Sequence, residues 1–111
     1  MRDSRALLMA VAVLIPIAAG AEIGSRRQAE LRHLLHQDCG ACHGLHLTGG
    51  LGPPLTPASL ADKAAPDLAA AIRHGRPGTP MPPWADFLSA EEARWLVDVM
   101  KSGAGGPDTD R

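Results

Sequence analysis

Cys39-Gly40-Ala41-Cys42-His43 is the run from which the rest of this chain can be read. Two thiols separated by two residues on a helical turn match the spacing of the two vinyl groups of a haem, to which they add. The histidine that follows is then carried under the porphyrin plane, where its imidazole can ligate the iron. Cys-x-x-Cys-His is the attachment signature of c-type haem. The chain has 2 cysteines in all, so its thiol chemistry is confined to this pentapeptide.

Other uses of a Cys-x-x-Cys pair explain less. A thioredoxin-like redox disulfide expects a βαβ setting, and no strand pattern surrounds the motif. A structural zinc site wants four ligands, and a second Cys-x-x-Cys pair is missing; His46 would complete only a crowded Cys-Cys-His-His set. A disulfide closing so short a loop would constrain little chain entropy.

The length of 111 residues suits one domain. Residues 1–21 are expected to be a signal peptide. Arg2 and Arg5 form a basic start, residues 6–19 are almost wholly apolar, and Ala19-Gly20-Ala21 is an A-x-A cleavage site. The apolar run contains Pro16 and falls short of the roughly 20 residues a membrane helix needs, so no stable membrane anchor is expected. An uncleaved anchor is the alternative. No cysteine lies near the cleavage site to carry a lipid. Export to the periplasm agrees with covalent haem attachment, which in bacteria is expected outside the cytoplasm.

The part from Glu22 onward carries nine Lys/Arg and eleven Asp/Glu, a formal charge of −2. That is not a nucleic-acid footprint, and no nucleic-acid partner is expected. Its aromatics are Trp84, Phe87 and Trp95. A domain so small is marginal without help, and a covalently held haem would supply the missing apolar bulk. The apo-chain should be poorly folded.

A single folded domain is expected over 22–103. Ser25 and Gln28 suit a capping box opening a helix over 25–38, with Leu31, Leu34 and Leu35 on its apolar face. The segment 44–54 holds four glycines and two prolines and reads as an irregular loop. Thr56-Pro57 opens a short helix to about Lys63, and Pro66 begins another that stops at Gly75. Residues 76–84 hold four prolines and cannot be regular helix or central strand. Ser89 and Glu92 form a second capping box for a helix ended by Gly103, with Ala93, Leu96, Val97 and Met100 on one face. Residues 104–111 are expected to be a disordered tail.

Met81 is the candidate sixth ligand. Pro80 and Pro82 flank it and restrict the backbone, so its thioether can be held in place with little entropy left to lose. Met100, on a buried helix face, reads as core instead. His33, His36 and His46 are too close in sequence to His43 to reach the opposite haem face. His74 is the rival ligand, its other role being a solvated residue favoured by a helix C-terminus. The second ring nitrogen of His43 needs an acceptor, and a carbonyl from the Gly52-Pro53-Pro54-Leu55 stretch can serve.

Cys39-x-x-Cys42-His43, then Gly52-Pro53-x-Leu55, then Met81 and a capped C-terminal helix together resemble the class I cytochrome c pattern over about 25–103. The resemblance implies an all-α fold, with N- and C-terminal helices crossing and the haem enclosed by loops. It implies that Cys39 and Cys42 hold one haem c, with His43 and Met81 axial to the iron. It further implies that the Pro53 carbonyl accepts from the axial histidine, and that Thr79 bonds a haem propionate. One departure is visible: the slot one turn after Leu96 is Val99 and the helix aromatic is Trp95. The family's packing of that aromatic on a glycine of the first helix is therefore left open here.

The stretches 44–53 and 75–84, with Glu92-Ala93-Arg94-Trp95-Leu96-Val97, are similar to NirC-type (c55X-like) cytochromes. These small periplasmic monohaem proteins are encoded with cytochrome cd1 nitrite reductase in denitrifying bacteria. The resemblance implies a monomeric one-electron carrier, not an enzyme, with redox-protein partners that include that reductase. The alternative it implies is a factor assisting haem d1 biogenesis. A gas or redox sensor with a weakly held sixth site is a third reading. Lys63 and Lys101 are the only lysines, so docking is expected to be transient and largely apolar, around the haem edge at 44–51 and 82–87.

Overall fold

The computed structural model describes residues 9–14 and 22–105. Of the expected signal peptide, 1–8 and 15–21 lie outside the described residues, as do 106–111 of the expected tail; residues 9–14 form no regular element. Every regular element among the described residues is helical: α1 (Ser25–Leu34), a π-helical turn (Leu35–Cys39), α2 (Gly40–His43), α3 (Pro57–Leu60), α4 (Ala65–His74) and α5 (Ala90–Ser102). None is long and apolar enough to cross a membrane.

The capping box expected at Ser25 and Gln28 does not form. Gly24 is the N-cap of α1 and offers no side-chain bond. The Gln28 amide instead donates to the Ile23 carbonyl at 2.9 Å, which turns the incoming chain back onto the helix. At α5 the second box is complete: Glu92 N–H donates to Ser89 Oγ at 3.1 Å, and Ser89 N–H donates to the Glu92 carboxylate at 3.0 Å. Thr56 caps α3 by accepting from Ser59 N–H, with Pro57 in the first turn. Lys101 Nζ donates to the Leu60 and Lys63 carbonyls at 2.6 and 2.5 Å, holding the end of α3 and the following turn against α5.

The core lies where α1 and its π-helical extension meet α5. Leu31 and Leu35 pack with Leu96, Val97, Val99 and Met100, joined by Leu47, Leu60 and Leu88. Val99 is thus core, whereas Trp95 is half-buried with the Arg32 guanidinium 5.3 Å above its ring. Gly103 closes α5 in the left-handed conformation, φ 82°. The packed chain continues past that point. The Arg32 guanidinium donates to the Ala104 carbonyl at 2.9 Å, and Gly105 is buried. A Cβ on Gly105 would lie 3.4 Å from Leu35 Cδ2, so the first two residues of the expected tail lie against α1 and its π-helical extension.

The α5 cap also joins α5 to α1, because the Glu92 carboxylate pairs with Arg27 of α1. That bond, foremost, holds Glu92 below its ordinary value of 4.5, while burial opposes. Its contribution to stability is therefore present above about pH 4.5 and is lost as the pH falls through the depressed value. Urea unfolding of Ser89→Ala should show a loss of about 1 kcal/mol. The stability gap between the natural protein and Glu92→Gln should be constant near neutrality and narrow in acid. A gap that widened in acid would contradict the pairing.

Candidate functional site

The Cys-x-x-Cys-His run sits on a helix that changes its winding just before it. In the π-helical turn Gly40 N–H bonds to the Leu35 carbonyl, five residues back instead of four. The extra residue rotates the chain about its own axis. Gly40, not Cys39, follows Leu35 on the buried side, and Cys39 is left half-buried with Cys42 exposed. A Cβ on Gly40 would be 3.7 Å from both the Leu35 carbonyl and Leu45 Cα, ordinary van der Waals contact, so the position packs closely against the turn that follows. Such single π turns occur frequently at functional sites. Nothing in Leu35-His36-Gln37-Asp38 marks it in the sequence.

Both cysteines are free thiols. Burial, then the Asp38 carboxylate, pushes the Cys39 thiol up to about 11. At neutral pH it is a protonated thiol, the opposite of the acidic thiolate that a disulfide oxidoreductase needs.

The segment after His43 folds back over the helix end. Gly49 N–H donates to the His43 carbonyl and Gly52 N–H to the Cys42 carbonyl, each at 2.8 Å, so carbonyls that a helix terminus leaves orphaned find partners. The segment turns at Leu47, whose φ of 58° is the one positive value outside glycine among the described residues. A leucine held there stores roughly 1–3 kcal/mol of backbone strain. It is fixed because its side chain is in the core and its carbonyl accepts from Leu55 N–H at 2.8 Å. From the sequence Leu47 belongs only to the docking rim expected over 44–51, whereas its side chain is buried.

The return brings Gly52 and Pro53 onto the imidazole. Nδ1 of His43 lies 2.7 Å from the Pro53 carbonyl oxygen. A carbonyl can only accept, so Nδ1 carries the hydrogen and Nε2 of the neutral ring keeps its lone pair free. Gly52 lies against the ring itself: a Cβ there would come within 2.7 Å of Cε1 and 2.8 Å of Nδ1.

Met81 is half-buried in the proline-rich segment after α4. Its carbonyl accepts from Arg76 N–H at 3.2 Å. Gly75, at φ 69°, lies so close beneath that a Cβ would be 2.7 Å from the Met81 oxygen. Thr79 is occupied within this segment. Its hydroxyl donates to the Arg76 carbonyl at 2.7 Å and accepts from Met81 N–H at 3.3 Å. The propionate bond implied for Thr79 would require the first of these to be given up. His74, the rival ligand, is exposed at the end of α4.

A porphyrin suits these surroundings. Helix α4 is amphipathic, yet none of its residues is fully buried. Leu68 and Ile72 lie only partly covered against the core, with Leu34, Leu55 and Trp84 in the same state. A flat apolar group would complete the cover. The lone pair of His43 Nε2, a free thioether and two free thiols are the donors such a group requires.

Residues 26–100 match the family described as cytochrome c oxidase, cbb3-type, subunit III. The chain is 54% identical over 102 residues to a cytochrome c55X of Pseudomonas aeruginosa, covering 92% of this chain and 86% of the relative. A solved c-type cytochrome NirC is 61% identical with a TM-score of 0.75, over 76% of this chain and 99% of that one. A dihydro-heme d1 dehydrogenase of Pseudomonas aeruginosa is 39% identical over 87 residues, 76% of this chain but 18% of that enzyme.

Gly52→Ala should force the imbalance of contact onto the His43 ring and lower stability by about 1–3 kcal/mol, as overpacking does. Thermal unfolding of the two holoproteins measures it, and an unchanged midpoint would show that the ring does not depend on the missing side chain. With an all-α class I cytochrome c fold and relatives matched along nearly their whole length, the chain belongs to the cytochrome c55X family of c-type cytochromes, which implies a covalently bound haem c.

Proposed function

We propose that this chain is a periplasmic monohaem cytochrome that carries single electrons in denitrification, as a donor to cytochrome cd1 nitrite reductase, and is not itself an enzyme. The carrying observation is the bond from His43 Nδ1 to the Pro53 carbonyl, which makes Nδ1 the donor and so reserves Nε2 of the neutral ring as the nitrogen that can ligate a metal. On this reading Cys39 and Cys42 hold one haem as thioethers, matching the single attachment motif, and His43 and Met81 occupy the two axial positions. Residues 1–21 are removed on export.

When bound, the haem supplies a one-electron iron couple whose potential is raised by His/Met ligation. The chain's part is to keep its own atoms still. The Pro53 carbonyl fixes the imidazole, the prolines around Met81 restrict the thioether, and Leu68, Ile72 and Trp84 exclude water. Small rearrangement between oxidation states follows from a ligand set that does not change.

Leu51 and Leu45, in the segment after the attachment turn, are 95% and 74% exposed, and Phe87 is 66% exposed. Phe87 leans edge-on against half-buried Trp84, with ring centroids 5.9 Å apart. Apolar side chains held in water at the rim of the site support brief docking of the monomer on an apolar partner face.

A second reading, assistance to haem d1 biogenesis, is favoured by the match to part of a dihydro-heme d1 dehydrogenase. Stopped-flow mixing of reduced protein with oxidised cytochrome cd1 nitrite reductase should show rapid reoxidation. Its rate should change by less than about threefold between low and physiological ionic strength, because no dense cationic patch steers the encounter. No exchange with the reductase, together with haem d1 missing from a deletion strain, would reject the carrier reading in favour of the biogenesis one.

A further inference from the structure

The two proposed axial ligands stand on different parts of the chain. His43 ends α2, whereas Met81 follows α4 and precedes α5. Within its own segment Met81 is well held by Gly75, Arg76, Thr79 and the prolines. Those contacts stay inside the segment and cannot by themselves set its distance from the attachment helix. That distance depends on how residues 84–88 are moored to the rest of the molecule.

The mooring is made by two arginines on adjacent carbonyls. Arg27, in the first turn of α1, donates through Nη2 to the Phe87 carbonyl at 3.0 Å. Arg73, near the end of α4, donates through Nε to the Leu88 carbonyl at 3.3 Å. The Arg73 main-chain carbonyl in turn accepts from Trp84 and Ala85 N–H at 3.1 and 3.0 Å. Leu88 is buried, and its N–H returns to the Trp84 carbonyl at 3.0 Å. Arg27 also pairs with Glu92 and with Glu30, so its guanidinium is fixed from three sides. Among the described residues, the hydrogen bonds that join 22–56 to 72–92 are those of Arg27 alone. The helix that leads to Cys39 is thus hydrogen-bonded through one side chain to Phe87 and Glu92, the stretch that follows the Met81 segment.

We infer that Arg27 and Arg73 form a clamp on the Phe87 and Leu88 carbonyls that sets where the Met81 segment sits, making both arginines positioning residues for the sixth ligand. The inference rests on the reading of Met81 as that ligand. Neither arginine needs to touch the haem. Loosening the clamp leaves Met81 intact but lowers the fraction of molecules in which its thioether is seated. An added small ligand then meets less competition, in proportion to that fraction.

The test uses the oxidised holoprotein, imidazole as the competing ligand, and the near-infrared sulfur-to-iron absorption band as the report on the thioether. Arg27→Met and Arg73→Met should each weaken the band and bind imidazole about tenfold more tightly than the natural protein. Arg27→Lys, which keeps one bond but cannot span Phe87 and Glu92 together, should fall between; it also stands in should Arg27→Met fail to fold. Lys101→Met is the control. Lys101 also pins two carbonyls against α5, but at Leu60 and Lys63. Its loss should lower the melting temperature and leave imidazole affinity unchanged.

Imidazole affinities within about twofold of the natural protein in both arginine variants would overturn the clamp. So would an equal shift in Lys101→Met, which would show general loosening only. The ligand reading fails in a different way: the natural protein would lack the band and bind imidazole no more weakly than Met81→Ala. That result removes the clamp with it.

Discussion

The hydrogen bond from His43 Nδ1 to the Pro53 carbonyl, 2.7 Å long, is the constraint on which the rest of the site depends. It can exist only if the segment after the attachment turn doubles back onto the helix. Leu47 turns in a conformation that leucine disfavours, Gly49 and Gly52 satisfy the last helical carbonyls, and Gly52 leaves room for the ring. Each of these features is costly or improbable alone, and the bond is what they jointly produce. It selects one tautomer and one ring orientation for the imidazole. A ligand prepared in this way loses little freedom on coordination.

Much of this was legible in the residues, and the failures are instructive. The pentapeptide, the loop glycines and prolines, the Ser89–Glu92 box and the Gly75 and Gly103 stops are local signals, and the structure has helices and turns where they indicated. The box at Ser25 was a false signal. Its residue types were right, but Gln28 found the Ile23 carbonyl, and Gly24 became the cap. Thr79, which the resemblance makes a propionate contact, has a second use that the residues did not suggest: its hydroxyl bonds within the turn beside Met81.

What stayed hidden depends on distant partners. The π-helical turn has no residue signature because it arises from how Leu35 and Gly40 must both face the core. Leu47 is strained only because core packing and Leu55 demand it. Arg27 looks like any exposed helical arginine until Phe87 and Glu92, about sixty residues later, come to meet it. Local patterning carries information about elements and motifs, whereas such long-range agreements appear only once the chain is folded.

A part of a dihydro-heme d1 dehydrogenase, 18% of that enzyme, is similar to 76% of this chain, so the pattern described here recurs within a larger protein.

The intact mass of protein recovered from the periplasm of cells with a working attachment machinery bears most directly on this account. One species is predicted, heavier by a single haem than the polypeptide that begins at Glu22. A mass equal to that of the bare polypeptide would contradict it.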